Sequence, residues 1–315
     1  MKIAVSACLL GEKIRFDGGH KHDRFITDEL GRYATFVPFC PEHLAFGTPR
    51  PSLRLVREEA AFAIRSNKNG SDLTGILEKA SQQELSALDS QKLGGIIFKA
   101  KSPSCALGSA KAYLPNGFAQ GKSNGLFADL CRERFPLLPM EEEGRLNDPW
   151  LRENFVMQLF AYDDFEQFKA SDPDMKGLVA FHQAYKFMLQ SKDERSYRTL
   201  GAIVGNQEKA DFSKLFSDYE MLFKTVIGHK STIGKTRNVL EHMAGFLKND
   251  LTPVEKSMFH EQIRDYSAKI IPLIVPLSTL LMFAQKYEAD YLLGQKFLHP
   301  YPKELALRSD IKSGK

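Results

Sequence analysis

Three cysteines, Cys8, Cys40 and Cys105, stand 32 and 65 residues apart, each at or just beyond the end of an apolar run. A thiolate is a nucleophile and a soft metal ligand. Three thiolates gathered at one place would leave one position of a metal or cluster unfilled, which is what metal-assisted catalysis requires. The spacing is not that of a zinc ribbon, and buried cysteine is also an ordinary small apolar residue, so on spacing alone both readings stand. The fourth cysteine, Cys131, lies in the helical stretch NGLFADLCRERF and reads as packing. No cysteine occurs in the 184 residues after it.

The neighbours of these cysteines are chemically apt. In CPEH, Glu42 follows Cys40 by two residues. A carboxylate at that place can move a proton, and an exposed turn acid is the alternative. In KSPSC, Ser102 and Ser104 precede Cys105. Their hydroxyls can bond a sulfur, a water or a substrate carbonyl, or simply serve the turn around Pro103. In RFDGG, Asp17 and Gly18 suit a tight loop that lets a ligand approach the backbone. In TPRP, Arg50 is held between two prolines, a rigid basic point suited to an anion.

The elements that must position these groups follow from the apolar pattern. KIAVSACLL reads as a buried strand ending at Cys8, RYATFVPFC as a second ending at Cys40, and LGGIIFKAKSPSC as a third running into a turn before Cys105. SDLTGILEKASQQELSALDS reads as a helix capped by Ser71 or Asp72, and NGLFADLCRERF as a short helix stopped by Pro136. Strands alternating with helices predict an open α/β sheet, where ligands bind at the carboxyl ends of strands. Beyond Asp148 the helical period dominates: LVAFHQAYKFMLQ, DYEMLFKTVIGHK, TRNVLEHMAGFLKN, PVEKSMFHEQIRDYSAKI and EADYLLGQKFL. The expectation is an α/β open-sheet domain over 1–146 and an all-α helical bundle over 147–315. Prolines, the triplet Glu141–Glu143 and Trp150 mark the boundary.

With 315 residues, 43% apolar and 26% charged, the chain can bury two cores. Its net charge of +4, from 43 basic and 39 acidic residues, excludes a blanket polycation. The first residues lack a signal-peptide pattern, and no run of about 18 apolar residues predicts a membrane span. IIPLIVPLSTLLMFA, carrying Pro272 and Pro276, reads as a buried, kinked helix. A cytoplasmic address with free cysteines is the expectation, and no obligate protein partner is evident.

SACLLG with RFDGG, CPE followed by TPRP, and KSPSC together resemble the thiouracil desulfidase family, small iron–sulfur enzymes. FHQAYK, TRNVLEHMAGFLKN and YLLGQKFLHPYPKEL resemble the helical domain fused behind such desulfidases in bacteria, in proteins that act on 4-thiouridine. The resemblance implies a 4Fe-4S cluster held by Cys8, Cys40 and Cys105, with one open iron that binds the substrate sulfur. It implies proton transfer or water activation by Glu42, substrate orientation by Ser102, and release of hydrosulfide without an external electron. Many members carry a further cysteine where this chain has Ile14, which implies that it is dispensable.

One stretch is basic. Between Lys224 and Lys248 stand Lys224, Lys230, Lys235, Arg237 and Lys248 against Glu241 alone, with His229 and His242. It reads either as a solvated helix face or as a phosphate-contacting one, with Lys230, Lys235 and Arg237 as RNA contacts. His182, His229 and His242 read as packing or polar positions. The substrate expected is a thiolated pyrimidine nucleoside or nucleotide, or 4-thiouridine in tRNA. The alternative is a non-catalytic iron–sulfur or zinc-containing regulator that binds nucleic acid. An acid and a hydroxyl beside an open three-cysteine site separate the two, because a sensor needs neither.

Overall fold

The computed structural model describes residues 1–59, 61–207 and 209–310. It divides into two compact units, Met1–Asn147 and Asp148–Lys315. The first is α/β and the second a series of helices, as the sequence pattern predicts.

In the first unit the elements in chain order are β1 (Lys2–Ser6), β2 (Thr35–Phe39), α1 (Pro41–Phe46), β3 (Leu53–Arg57), β4 (Phe62–Ser66), α2 (Thr74–Asp89), β5 (Leu93–Phe98), β6 (Ala110–Tyr113), β7 (Ala119–Ser123), α3 (Leu126–Arg134) and β8 (Met140–Glu142). One sheet has the order β2-β1-β5-β8, and every pair in it is parallel. Ile3, Ala4 and Val5 of β1 and all six residues of β5 are buried. Such near-continuous apolar runs suit parallel strands covered on both faces. The chain leaves β1 toward β2 and returns on the other side at β5. The strand order therefore reverses beside β1, where open α/β sheets bind their ligands.

The sequence pattern missed a second sheet, of order β4-β3-β6-β7. Its β3–β4 and β6–β7 pairs are antiparallel, and β3 lies parallel to β6. These strands are short, and β7 (AQGKS) is exposed along most of its length, so neither apolar runs nor alternation betray them. Leu77 of α2 packs on this sheet with Leu55, Ile64 and Ala110, while Leu88 at its far end packs with Ile96 and Phe98 of the first. The expected cap of α2 is also displaced: Asp72 accepts from the Thr74 amide and hydroxyl, and Leu73 is the residue before the helix.

The second unit holds α4 (Pro149–Ala170), α5 (Met175–Lys192), α6 (Glu194–Gly205), α7 (Phe212–Ile227), α8 (Ile233–Phe246), α9 (Pro253–Ser267), α10 (Ile274–Lys286) and α11 (Asp290–Leu293). Asp148, Asp174, Asp193, Asp211, Thr232 and Thr252 each accept a first-turn amide of the helix that follows. These bonds satisfy donors that have no partner within the helix. The 22-residue α4 begins inside the stretch read as a boundary. Pro276 lies in the first turn of α10 and Pro272 before it, so the prolines start this helix instead of kinking it. Of EADYLLGQKFL only four residues are helical. The core gathers Phe165, Tyr185, Tyr219 and Phe223 among others. Among the described residues, no helix is long and apolar enough to cross a membrane.

Candidate active site

The three strands of the parallel sheet that carry cysteines are neighbours, and their carboxyl ends open on one cavity of about 520 Å³. Cys8 lies in the single turn after β1, Cys40 is the residue between β2 and α1, and Cys105 closes the turn after β5. All three line the cavity, and none is in a disulfide. Cys8 and Cys105 are buried and Cys40 is half-buried. Beneath them Phe39, Phe98 and Phe127 meet with ring centroids 5.1–6.5 Å apart, fixing the ends of β2 and β5 against α3.

The cysteine environment favours a cationic occupant. Burial, then the charge of Cys40, pushes the Cys8 thiol up to about 12. Burial pushes Cys40 to about 11, and burial followed by Cys40 raises Cys105 well above the ordinary thiol range. Three thiolates here repel one another in a low-dielectric place, so they coexist only against positive charge. Among the described residues, no three His, Cys, Asp or Glu side chains gather closely enough for a single metal ion. The donor set is thus all sulfur and spread out, which fits a polynuclear iron–sulfur group and not a mononuclear zinc site.

Beside the cysteines stands a closed polar network. Oε1 of Glu42 accepts from Ser104 Oγ at 2.6 Å and from Ser102 Oγ at 2.9 Å. Oε2 accepts from Arg50 Nη2 at 3.1 Å. The two serine oxygens are 2.9 Å apart, and Ser104 Oγ lies 3.4 Å from Cys105 Sγ. Ser104 is fully buried, and the Glu42 side chain keeps 12% of its surface exposed. The carboxylate thus touches both hydroxyls on one side and retains access to the cavity.

Arg50, read from the sequence as an anion-binding point, has its guanidinium only 3% exposed. Besides Glu42 it donates to the carbonyls of Ile14 (2.8 Å) and Gly47 (3.0 Å). The anion it holds is Glu42. Asp17 and Gly18 form the turn Arg15–Gly19, where the Gly19 amide donates to Asp17 Oδ1 at 3.0 Å. Gly18 takes φ +75°, which glycine adopts without strain. Neither residue lines the cavity, although Ile14, Arg15 and Phe16 before them do. Cys131 is buried against Phe127 and Phe98, away from the cavity lining.

Several residues that hold the site gave no signal in the sequence. The turn Ser102–Cys105 is fixed to the start of α3: Leu126 donates to the Pro103 carbonyl (3.1 Å) and Phe127 to that of Ser104 (2.9 Å). A Cβ at Gly125 would collide with the Ser104 backbone, so only glycine allows this approach. Glu84 of α2 accepts the Cys40 amide at 2.9 Å. The acidic triplet read as a linker is structural. Glu142 accepts from Ser109 Oγ (2.7 Å) and the Leu107 amide (3.1 Å). Glu143 pairs with Lys99 and accepts the Ala100 amide at 2.5 Å, holding both ends of the loop after β5.

In the second unit, Lys230, Lys235 and Arg237 are exposed around the start of α8. Lys235 Nζ reaches the Lys192 carbonyl (2.5 Å), and Arg237 pairs with Glu241 (2.8 Å). Lys224, counted in the basic stretch, is 6% exposed and pairs with Glu166 and Glu220 at 2.5 and 2.6 Å. It contributes nothing to a basic face. His182 packs against Tyr197, ring centroids 5.4 Å apart, and shares a 3.2 Å bond with Tyr219, as the packing reading predicts.

Residues 3–143 match the family model described as 2-thiouracil desulfurase, and residues 186–302 match that of a protein of unknown function, DUF1722. The two-part resemblance read from the sequence is thereby borne out. The uncharacterized protein YbgA of Escherichia coli K12 is 21% identical over 154 residues, 49% of this chain and 91% of YbgA. A solved structure titled as the [4Fe-4S]-dependent thiouracil desulfidase TudS is 29% identical. It covers 46% of this chain and 93% of its own, with a TM-score of 0.38.

Proposed function

We propose that this chain, whose first unit matches the 2-thiouracil desulfurase model over nearly its whole length, is an iron–sulfur desulfidase of thiopyrimidines. The observation that carries this reading is the pairing of three unbonded cysteines with the Glu42–Ser102–Ser104 network in one cavity. Cys8, Cys40 and Cys105 would hold a 4Fe-4S cluster and leave one iron without a protein ligand. Such a cluster supplies a thiophilic Lewis acid, which draws sulfur in preference to oxygen.

The chain's own residues supply the remaining chemistry. Replacing C=S by C=O with water as the nucleophile consumes one water and releases one hydrosulfide and one proton, so no electron is exchanged. Glu42 takes the proton of the attacking water. Arg50 pins the second carboxylate oxygen, and the two serine hydroxyls aim the first. Ser102, half-buried at the cavity wall, orients the substrate ring and passes the proton. Ser104, which touches both Glu42 and the Cys105 sulfur, holds the network in register with the cysteines. A regulator that only senses a cluster has no use for a buried carboxylate aimed in this way. Sulfide released in step with loss of the thiocarbonyl absorption tests the reading.

The finer proposal is that the substrate is 4-thiouridine, including 4-thiouridine in tRNA, in a reducing, cytoplasmic compartment. It is supported by the exposed Lys230, Lys235 and Arg237 on the helical unit and by the likeness to fused desulfidases. A tRNA base would have to leave its stack to reach a recessed cavity. Changing Lys230, Lys235 and Arg237 together to Ala is expected to lower turnover of thiolated tRNA about tenfold or more at physiological salt, each lost phosphate contact weakening binding. Turnover of free 4-thiouridine monophosphate should stay within about twofold. Equal losses on both substrates would remove these residues from RNA binding.

A further inference from the structure

The helical unit encloses a cavity of about 20 Å³, large enough for one water-sized occupant. Glu153 and Asn154 in the first turns of α4, and Ser231, Thr232 and Thr236 at the start of α8, line it together with Arg308. Two helix N-termini, the positive ends of their dipoles, therefore adjoin one small space.

The polar groups around it are unevenly spent. Glu153 Oε1 accepts from Arg308 Nε at 2.9 Å and from Tyr301 at 3.4 Å. Asn154 Oδ1 accepts from Lys192 Nζ at 2.7 Å and from the Ser231 amide at 2.9 Å. Arg308 Nη1 donates to the Phe297 carbonyl at 2.9 Å. Arg308 Nη2, on a residue 6% exposed, is buried without any hydrogen-bond partner. What is left over is thus a cationic donor, and a buried donor of that kind demands an acceptor. The fully enclosed charges here are Arg308, Lys192 and Glu153, two positive against one negative. Lys230 and Lys235 add positive potential from outside. Burial, with the field of Arg308, Lys230 and Lys235, draws the Lys192 ammonium down to about 7, which marks a place short of negative charge.

The geometry points to a monatomic anion site, of the size of chloride, bonded to Arg308 Nη2 between the starts of α4 and α8. An oxyanion such as phosphate is too large for the space. The occupant joins the first turn of α4, the start of α8 and the C-terminal segment that carries Arg308, and so stabilises the fold of this unit without touching the cysteine cavity.

The test uses the full-length protein and bromide as the probe. Crystals grown in sodium bromide should show an anomalous peak within hydrogen-bond reach of Arg308 Nη2. In solution, the melting temperature should be about 3 °C higher in sodium chloride or bromide than in sodium gluconate at equal ionic strength. That increment should disappear in Lys192→Met and in Arg308→Gln. If Arg308→Gln fails to fold, Lys192→Met and the wild-type crystals still decide the matter. A water in the cavity with no anomalous signal overturns the proposal, whatever the melting temperatures do.

Discussion

Replacing Cys8, Cys40 or Cys105 individually by Ser is expected to abolish desulfidation and to strip the brown colour from anaerobically prepared protein. Each cysteine ends a different one of three adjacent parallel strands, and all three line one cavity. None has a redundant neighbour: among the described residues no tighter group of metal-ligating side chains exists to take over. A serine oxygen is a hard ligand and a poor substitute for thiolate at iron. The comparison variant is Cys131→Ser. That thiol is fully buried against Phe127 and Phe98, so the new hydroxyl loses water without gaining a partner. It should lower stability by about 1–3 kcal/mol yet leave turnover and colour intact. Absorbance, iron content and sulfide release on the four variants check this. A brown, active Cys8→Ser, Cys40→Ser or Cys105→Ser protein would take that residue out of the ligand set.

The second large effect is expected at Glu42. Glu42→Gln preserves shape but removes the base, and turnover should fall about 10²–10⁴-fold while the iron–sulfur absorption is unchanged. The geometry makes the change costly in a second way. Arg50 is nearly inaccessible, and Glu42 is its ion-pair partner, so the variant leaves a buried guanidinium without a counter-charge. Breaking a buried pair on one side destabilises by about 3–5 kcal/mol. Rates should therefore be measured on folded protein with cluster content matched to wild type. Ser102→Ala should cost less than Glu42→Gln, because Ser104 still bonds the same carboxylate oxygen at 2.6 Å. A Glu42→Gln enzyme within about threefold of wild type would assign the proton to another group, since general-base catalysis is worth far more than that.

The cysteine site was legible because its logic is local. Each cysteine follows an apolar run of strand length, and parallel sheets bring carboxyl ends of strands together. The motifs CPEH and KSPSC likewise kept Glu42 and Ser102 close to cysteines in the chain. What could not be read was whatever depends on distant partners. Glu84 meets the Cys40 amide across 44 residues, and Glu143 reaches Ala100 across 43. A lone glutamate on a helix or in an acidic triplet carries no mark of such a bond. Arg50 is instructive: its type and rigid setting rightly suggested an anion, but the anion is a side chain eight residues earlier. The second sheet escaped because its strands are short and partly exposed, and their pairing is decided by tertiary contacts, not by propensity. In the helical unit the apolar period disclosed most of the helices. It could not disclose that Lys224 is consumed by Glu166 and Glu220, since a basic stretch in sequence is not a basic face in space.

The decisive measurement is turnover by the wild-type chain purified without oxygen and supplied with 4-thiouridine monophosphate but no reductant. A brown protein with broad absorption near ~400 nm should release one sulfide for every thiocarbonyl lost, over many turnovers. A colourless protein with full activity, or a brown one that leaves the thiocarbonyl absorption untouched, would contradict the assignment of this chain as an iron–sulfur desulfidase.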